Sequence, residues 1–362
     1  MQKLIDKLTK KEIKKLKRID GSFEKRFDYL RLDKNERLLP FKKGDLKSFK
    51  SSILDTDLLG YAELYKTYKK LAKFLKVNTN QILIAAGSDM AIRSIFETFI
   101  KNKDTVLVQS PSYAMTQVYT KMYGAKVKFY TPNNNLKLNY LDINKKINKK
   151  TKLVVIENPN GFIGNKLNFR EIEALSKLLL KKKILLLIDE AYFYVENNFF
   201  DKKKLIKKYP NVIVSQTFSK GHGLAGLRFG YLISNSKLIE SLRKTNPLHE
   251  VSSLSAKAAN WVLDKPRMLQ EYKKSIIENK KYLSKELSLL KIRFKMTSAN
   301  FFLIYIPNKG KTKNFSFKIK QKKILIRKPF EEKNIKGWLR VTIGSFKDSK
   351  KFILALRSIL KI

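Results

Sequence analysis

Residues 212–233, VIVSQTFSKGHGLAGLRFGYLI, join two apolar runs through a Ser/Gly-rich turn that carries Lys220. Runs of the same kind recur upstream as QILIAAGSD, DTVLVQS, KVKFYT, KLVVIEN and KILLLIDEAY, with helical stretches such as YAELYKTYKKLAKFLKV and AIRSIFETFI among them. Short runs apolar on both faces and separated by helices predict a mostly parallel α/β sheet. In such sheets a ligand lies beyond the carboxyl ends of the strands. Those ends hold Gly87, Ser88, Asp89, Tyr113, Asn158, Asp189, Tyr192, Ser219 and Lys220.

Outward from this centre, residues 1–30 read as a basic amphipathic helix and arm, and RLDKNERLLPF at 31–41 as an extended piece ended by Pro40. From about 246 a long helical stretch leads into NFFLIYIP, ILIRKPF and LRVTIG and then a terminal helix, the pattern of a smaller α+β domain. The expected division is 1–44 as an N-terminal arm contributing to the small domain, 45–245 as the large domain and 246–362 as the small C-terminal domain. The Asn/Lys-rich segments 132–151 and 308–323 read as surface loops, or an edge element with a loop.

Composition narrows the chemistry. With 362 residues, 43% of them hydrophobic, the chain is long enough for a sizeable core. It has no cysteine and two histidines, His222 and His249, so neither disulfides nor a thiolate or zinc centre is expected. The first twenty residues interrupt every apolar pair with charge, and the most apolar run, ILLLI at 184–188, is far short of the roughly 20 residues of a membrane helix. A cytoplasmic protein without a membrane partner is the expectation. The net charge of +47 would by itself suggest nucleic acid, but the lysines are scattered along the whole chain, not clustered into a patch or a recognisable module. They are read as a global residue bias that favours anionic ligands.

A lysine just past a strand end can be desolvated enough to act as an amine nucleophile toward an aldehyde. Thr217, Ser219 and Arg228 beside it offer hydroxyl and guanidinium donors for a phosphate. Gly-Ser-Asp at 87–89 opens a helix after a strand, where free amides and the helix dipole favour an anion; an ordinary helix cap is the alternative reading.

Taken together, Ser219-Lys220 followed by LAGLR, IDEAY at 188–192, AAGSD at 85–89, SPSY at 110–113, ENPNGFIG at 157–164 and LDKNERL at 32–38 resemble the class I/II aminotransferases, specifically the histidinol-phosphate aminotransferase group. The likeness runs from about 31 to 349. It implies the fold type I architecture of pyridoxal-phosphate (PLP) enzymes, a mostly parallel seven-stranded sheet flanked by helices with a smaller α+β domain. It further implies that Lys220 is the Schiff-base lysine, with Ser219, Thr217, Arg228 and the amides of Gly87, Ser88 and Asp89 around the phosphate. Asp189 would face the ring nitrogen, keeping the ring an electron sink. Tyr113 would stack on the ring and Tyr192 would bond its phenolic oxygen. At 161, where the family has an asparagine contacting that oxygen, this chain has glycine; Asn160, Asn158 or Tyr192 alone could supply the contact.

The same resemblance places Arg340, in GWLRVTIGS, on a substrate carboxylate or equivalent anion, Arg327, in ILIRKPF, on a second anionic group, and Tyr61 in the site of a neighbouring subunit. The expectation is therefore a homodimeric PLP-dependent transaminase that moves an amino group between a small-molecule donor and a keto-acid acceptor, with histidinol phosphate and glutamate the first candidates. The alternatives are a PLP-dependent decarboxylase of a phosphorylated amino acid and, in a different class, a basic nucleic-acid-binding protein on the same fold.

Overall fold

A computed structural model describes residues 2–17, 25–133, 135–195, 201–306, 309–332 and 335–360. Its strands are β1 (Leu30–Leu32), β2 (Ile82–Ala85), β3 (Thr105–Gln109), β4 (Lys126–Tyr130), β5 (Thr151–Glu157), β6 (Leu185–Asp189), β7 (Val212–Thr217), β8 (Gly230–Ser234), β9 (Phe294–Met296), β10 (Phe301–Tyr305), β11 (Ile324–Ile326) and β12 (Trp338–Thr342).

Seven of these form one sheet in the order β2-β8-β7-β6-β5-β3-β4. Every neighbouring pair is parallel except those involving β8, which runs antiparallel to both β2 and β7. The exception follows from the quoted stretch. Parallel neighbours need a long crossover, usually a helix. Residues 218–229 instead form a turn with one short 3₁₀ segment, Ala225–Leu227, so β8 returns beside β7 in the opposite sense.

Alternate residues of each strand enter opposite cores. Ile84, Val154, Ile156, Ile188 and Val214 pack on one face, and Leu83, Val155, Leu187, Ile213 and Leu232 on the other. Both faces are apolar because helices cover both, which is why these strands read as continuous hydrophobic runs. The chain thus has the doubly covered, mainly parallel sheet of the fold type I enzymes.

A three-stranded antiparallel sheet, β12-β10-β9, backs onto the helices Arg267–Leu289 and Phe346–Leu360. β11 joins neither of these sheets and pairs in parallel with β1, tying residues 30–32 to 324–326.

Two readings change. Residues 309–321, expected as loop or edge element, form the helix Lys309–Gln321. Thr312, Phe315 and Ile319 lie on one helical face and are buried. The other expected loop, 132–151, contains a short helix, Tyr140–Lys146, anchored by the buried Ile143. The N-terminal amphipathic helix is two short pieces, Gln2–Leu8 and Lys11–Lys14, and residues 18–24 of that arm lie outside the described residues.

One close approach sets the top of the sheet. A Cβ on Gly230 would lie 2.2 Å from the backbone nitrogen of Ser88, so the first turn of the helix Gly87–Phe99 rests directly on β8. Backbone cannot swing aside as a side chain can. Gly230→Ala should therefore lower the unfolding free energy by about 1–3 kcal/mol, as overpacking does, measured by urea denaturation; an unchanged midpoint would contradict the close approach.

Candidate active site

The carboxyl ends of β5, β6 and β7 lie side by side, Glu157 opposite Asp189 and Asp189 opposite Ser215. Asp189 is buried and accepts a hydrogen bond from Ser215 Oγ at 3.1 Å. Burial, which disfavours the charged form, raises its pKa to about 6. Glu157 is buried beside it and rises to about 7 through burial and then the charge of Asp189. Two carboxyls brought together at strand ends make a pocket that favours a cation.

Next to them is a cup of hydrogen-bond donors. Thr217 Oγ1 donates to Ser219 Oγ at 2.9 Å, and Arg228 Nη1 reaches the same Ser219 oxygen at 3.3 Å. Arg228 has a left-handed backbone, φ 53°, uncommon for a residue with a Cβ. Its guanidinium lies against the start of the helix Gly87–Phe99, where a Cβ on Gly87 would sit 2.5 Å from Nη2. Gly87, with φ 82°, is the residue that lets the chain turn there. Hydroxyls, a guanidinium and the first amides of a helix thus converge, the arrangement that binds a phosphate dianion. The Asp89 carboxylate points elsewhere and accepts from Tyr119 OH at 2.8 Å.

Lys220, half-buried, donates from Nζ to the carbonyl of Lys34 at 2.7 Å and sits 5.8 Å from the centre of the Tyr192 ring. Burial and the nearby Arg340 charge lower its pKa to about 8. A much larger fraction is neutral near pH 7 than for an ordinary lysine, so the amine can add to a carbonyl or take a proton.

The loop after β5 is built on Glu157, which accepts from Gly161 N at 2.9 Å, from Asn160 Nδ2 at 3.2 Å and from the backbone N–H of Tyr113. Asn160 also donates to Pro111 O at 3.0 Å and accepts from the amides of Phe162 and Ile163 at 2.9 and 3.0 Å. Its amide holds the loop together. Asn158 is tied to both backbone polar groups of Leu167, at 2.7 and 3.3 Å. Tyr113 stands at the start of the helix Ala114–Met122, 36% exposed, beside Asp89.

Two arginines close the far side. Arg340, buried on β12, donates to the carbonyls of Gly161 and Asp33, and its Nε has no partner among the described residues. Arg327 stacks on Phe330 and on Phe162, and Arg340 lies over the Phe162 ring as well. Burial and Arg340 lower Arg327 to about 10. Two guanidiniums crowded around one ring repel each other, and an anion between them would relieve that repulsion.

Tyr61 is apart from this group, 79% exposed and stacked on His249 with ring centres 3.7 Å apart. His222 is buried among Phe218, Phe74 and Tyr194 and is lowered to about 3 by burial, so it stays neutral.

Sequence reasoning passed over Glu157 and Asn35. Glu157 carried a visible signal, a carboxylate ending a buried apolar strand just as Asp189 does. Asn35 lay inside a noted motif, but its approach to Tyr192 depends on a contact 157 residues away in the chain.

Residues 41–356 match the family described as aminotransferase class I and II. The histidinol-phosphate aminotransferase of Pelagibacter ubique is 32% identical over 80% of this chain and 81% of its own length. That of Clostridium novyi is 28% identical over 94% of each. Among solved structures, histidinol-phosphate aminotransferase from Sinorhizobium meliloti in complex with pyridoxal-5'-phosphate superposes with TM-score 0.89 at 18% identity, covering 98% of both chains. The enzyme of that name from Clostridium acetobutylicum gives 0.82 at 24%, covering 92% of this chain and 99% of its own. At these identities the superpositions establish the fold.

Raised carboxyl pKa values give a pH signature. Between pH 4.5 and about 7 the folded state retains a proton on Glu157 that the unfolded state has released, so stability falls as pH rises through that window. Glu157→Gln lacks this titration. The stability of wild type relative to the variant, from ligand-free thermal melts, should decline from pH 4.5 to 7; a rise would refute the assignment.

Proposed function

The chain belongs to the class I and II aminotransferase family, and on that premise we propose that it is a PLP-dependent transaminase whose amino donor is histidinol phosphate or a similar phosphorylated amino compound, with glutamate and 2-oxoglutarate as the other pair. The observation that carries this reading is the buried row Glu157–Asp189 beside a lysine lowered to about 8 and a donor cup built on Arg228.

The residues present fit the cofactor. Gly87 and Gly230 leave the helix start bare against Arg228 and β8, a cradle that a Cβ would fill. The guanidinium of Arg228, the hydroxyls of Ser219 and Thr217 and the amides of Gly87, Ser88 and Asp89 would hold the phosphate. Asp189 would face the ring nitrogen, Tyr113 the ring face and Tyr192 the phenolic oxygen. When bound, PLP supplies an aldehyde carbon that carries the amino group and an electron-poor ring that accepts electron density from the substrate α-carbon. Asp189, whose buried carboxyl is reluctant to ionise alone, would be the counter-charge for a protonated ring nitrogen. Lys220 would secure the cofactor through Nζ and, with its amine largely neutral, would serve as the base that takes and returns the substrate's α-proton. Arg340 orients one anionic end of the substrate and Arg327 the other.

The relatives' names support the phosphorylated donor, and the paired arginines suit a doubly anionic one. We place residues 45–245 around the cofactor, with 1–44 and 246–362 forming the smaller unit. A homodimer in the cytoplasm completes the proposal. Exposed Leu54, Leu58, Leu59, Tyr65 and Leu248 are apolar surface near Tyr61 that a second copy would cover. No helix among the described residues is long and apolar enough to cross a membrane.

Purified protein mixed with PLP and a panel of amino donors should lose its visible absorbance fastest with the phosphorylated donor and release a keto or aldehyde product. Loss of carbon dioxide without an acceptor would instead establish the decarboxylase. Lys220→Ala should form no such absorbing complex and lose on the order of 10²–10⁴-fold in turnover, the range general acid–base groups supply. Arg327→Ala should raise KM for the phosphorylated donor roughly tenfold to a hundredfold, the worth of a charged hydrogen bond, and that for glutamate less. Equal effects on both would remove Arg327 from the phosphate end.

A further inference from the structure

The position occupied by an asparagine in the resembled family is Gly161 here, and the structure has no room for a side chain at that place. A Cβ there would lie 2.7 Å from Cε2 of Tyr192 and 3.0 Å from its hydroxyl. Asn158 and Asn160 are spent on the loop, as described. A different amide reaches the phenol. Asn35, fully buried on the segment after β1, directs Nδ2 to Tyr192 OH at 3.1 Å and to Gly161 O at 3.3 Å.

The direction of that hydrogen bond is set by its surroundings. Thr342 Oγ1 accepts from the Asn35 backbone N–H at 3.0 Å and donates to Asn35 Oδ1 at 2.9 Å. Gly161 O is a carbonyl and accepts only, so the group facing it must be the NH₂. Tyr192 OH is therefore an acceptor toward Asn35, and its own proton must point elsewhere. The phenol is further confined by Phe301, edge-on with ring centres 6.0 Å apart, and lies beside Lys220. Asparagine suits position 35 doubly, since φ there is 53° and asparagine tolerates the left-handed region.

We propose that Asn35 is a positioning residue that, with the bare Gly161, turns Tyr192 into a one-way donor and makes its phenol the hydrogen bond to the cofactor's ring oxygen in place of the missing asparagine. An N–H donated into a hydroxyl oxygen also strengthens that hydroxyl as a donor, because linked hydrogen bonds polarise one another. The inference rests on the PLP assignment above.

The readout is the pH midpoint of the bound cofactor's visible absorbance in the holoenzyme, not turnover. A donor on the ring oxygen favours the form that has lost the proton shared between that oxygen and the lysine nitrogen, so weakening the donor moves the midpoint up. Asn35→Gly keeps the left-handed backbone and removes the amide; it should raise the midpoint by roughly half to one pH unit, the scale of one hydrogen bond. Asn35→Asp puts an acceptor where the donor was, captures the phenol's proton and should shift the midpoint the same way, which guards against poor folding of either variant. Tyr192→Phe should raise the midpoint at least as much, and in that background Asn35→Gly should add nothing; Asn35→Asp is compared only with Tyr192 present, since a carboxylate's charge acts on the ring with or without the phenol.

Unshifted midpoints in both Asn35 variants, or an Asn35→Gly shift that persists with Tyr192→Phe, would overturn the proposal, the latter by showing that Asn35 acts without the phenol. Gly161→Asn should displace Tyr192 and also raise the midpoint; a lowered midpoint with tight cofactor binding would show that the site accepts the extra amide and would overturn it as well. A wild type that forms no absorbing complex brings down the PLP assignment and this inference together, whereas a normal wild-type complex with flat Asn35 variants removes this inference alone.

Discussion

Two carboxyl groups buried at adjacent strand ends are the constraint around which the rest is arranged. Asp189 and Glu157 end β6 and β5 in register, out of water, each with a pKa raised by burial. Burying charge is unfavourable unless it is neutralised or met by donors. Glu157 is met by three N–H groups, which also makes it the hub that joins the Tyr113 turn to the 160–161 turn. Asp189 has Ser215 and is left poised for a cation. The same unfavourable solvation that lifts the carboxyls lowers Lys220, so the site holds an acid and a base both shifted toward neutrality, a pattern typical of acid–base sites.

Close backbone approach is the second requirement. The donor cup exists because Gly87 and Gly230 have no Cβ, which lets a helix start, the end of β8 and the Arg228 guanidinium occupy neighbouring space. The antiparallel return of β8 is part of this, since it carries Arg228 back to the sheet beside the strand that delivers Lys220.

The segment 33–37 then gathers contributions from distant parts of the chain. Its carbonyls receive Arg340 and Lys220, the Asn35 amide reaches Tyr192, and Arg37 donates to Gly221 O at 3.2 Å. The segment is held from outside by Arg26, which pairs with Asp33 at 2.6 Å and Glu36 at 3.0 Å in a largely buried cluster. One stretch of chain thereby touches Lys220, the Tyr192 phenol and the buried Arg340 guanidinium at once.

Periodicity and local chemistry were enough to read the seven strands, their mostly parallel arrangement and the residues at their ends, because strands buried on both faces are continuously apolar and strand termini are where polarity returns. Lys220, Asp189 and the Gly87–Asp89 turn stood out as candidates for the same reason, and Arg228 through the motif that follows Lys220. The helix Lys309–Gln321 was not, since its core-facing Thr312, Phe315 and Ile319 are diluted by lysine and asparagine and only packing against β11 and the terminal helix selects a helix. Nor could the sequence say what replaces an asparagine at 161: Asn35 and Tyr192 are 157 residues apart, and their hydrogen bond has a direction only because Thr342 and Gly161 O, brought in from two further strand ends, dictate which side of the amide faces the phenol. Local pattern determines which residues end a strand; the orientation of one polar group against another is decided by the partners that tertiary packing brings around both.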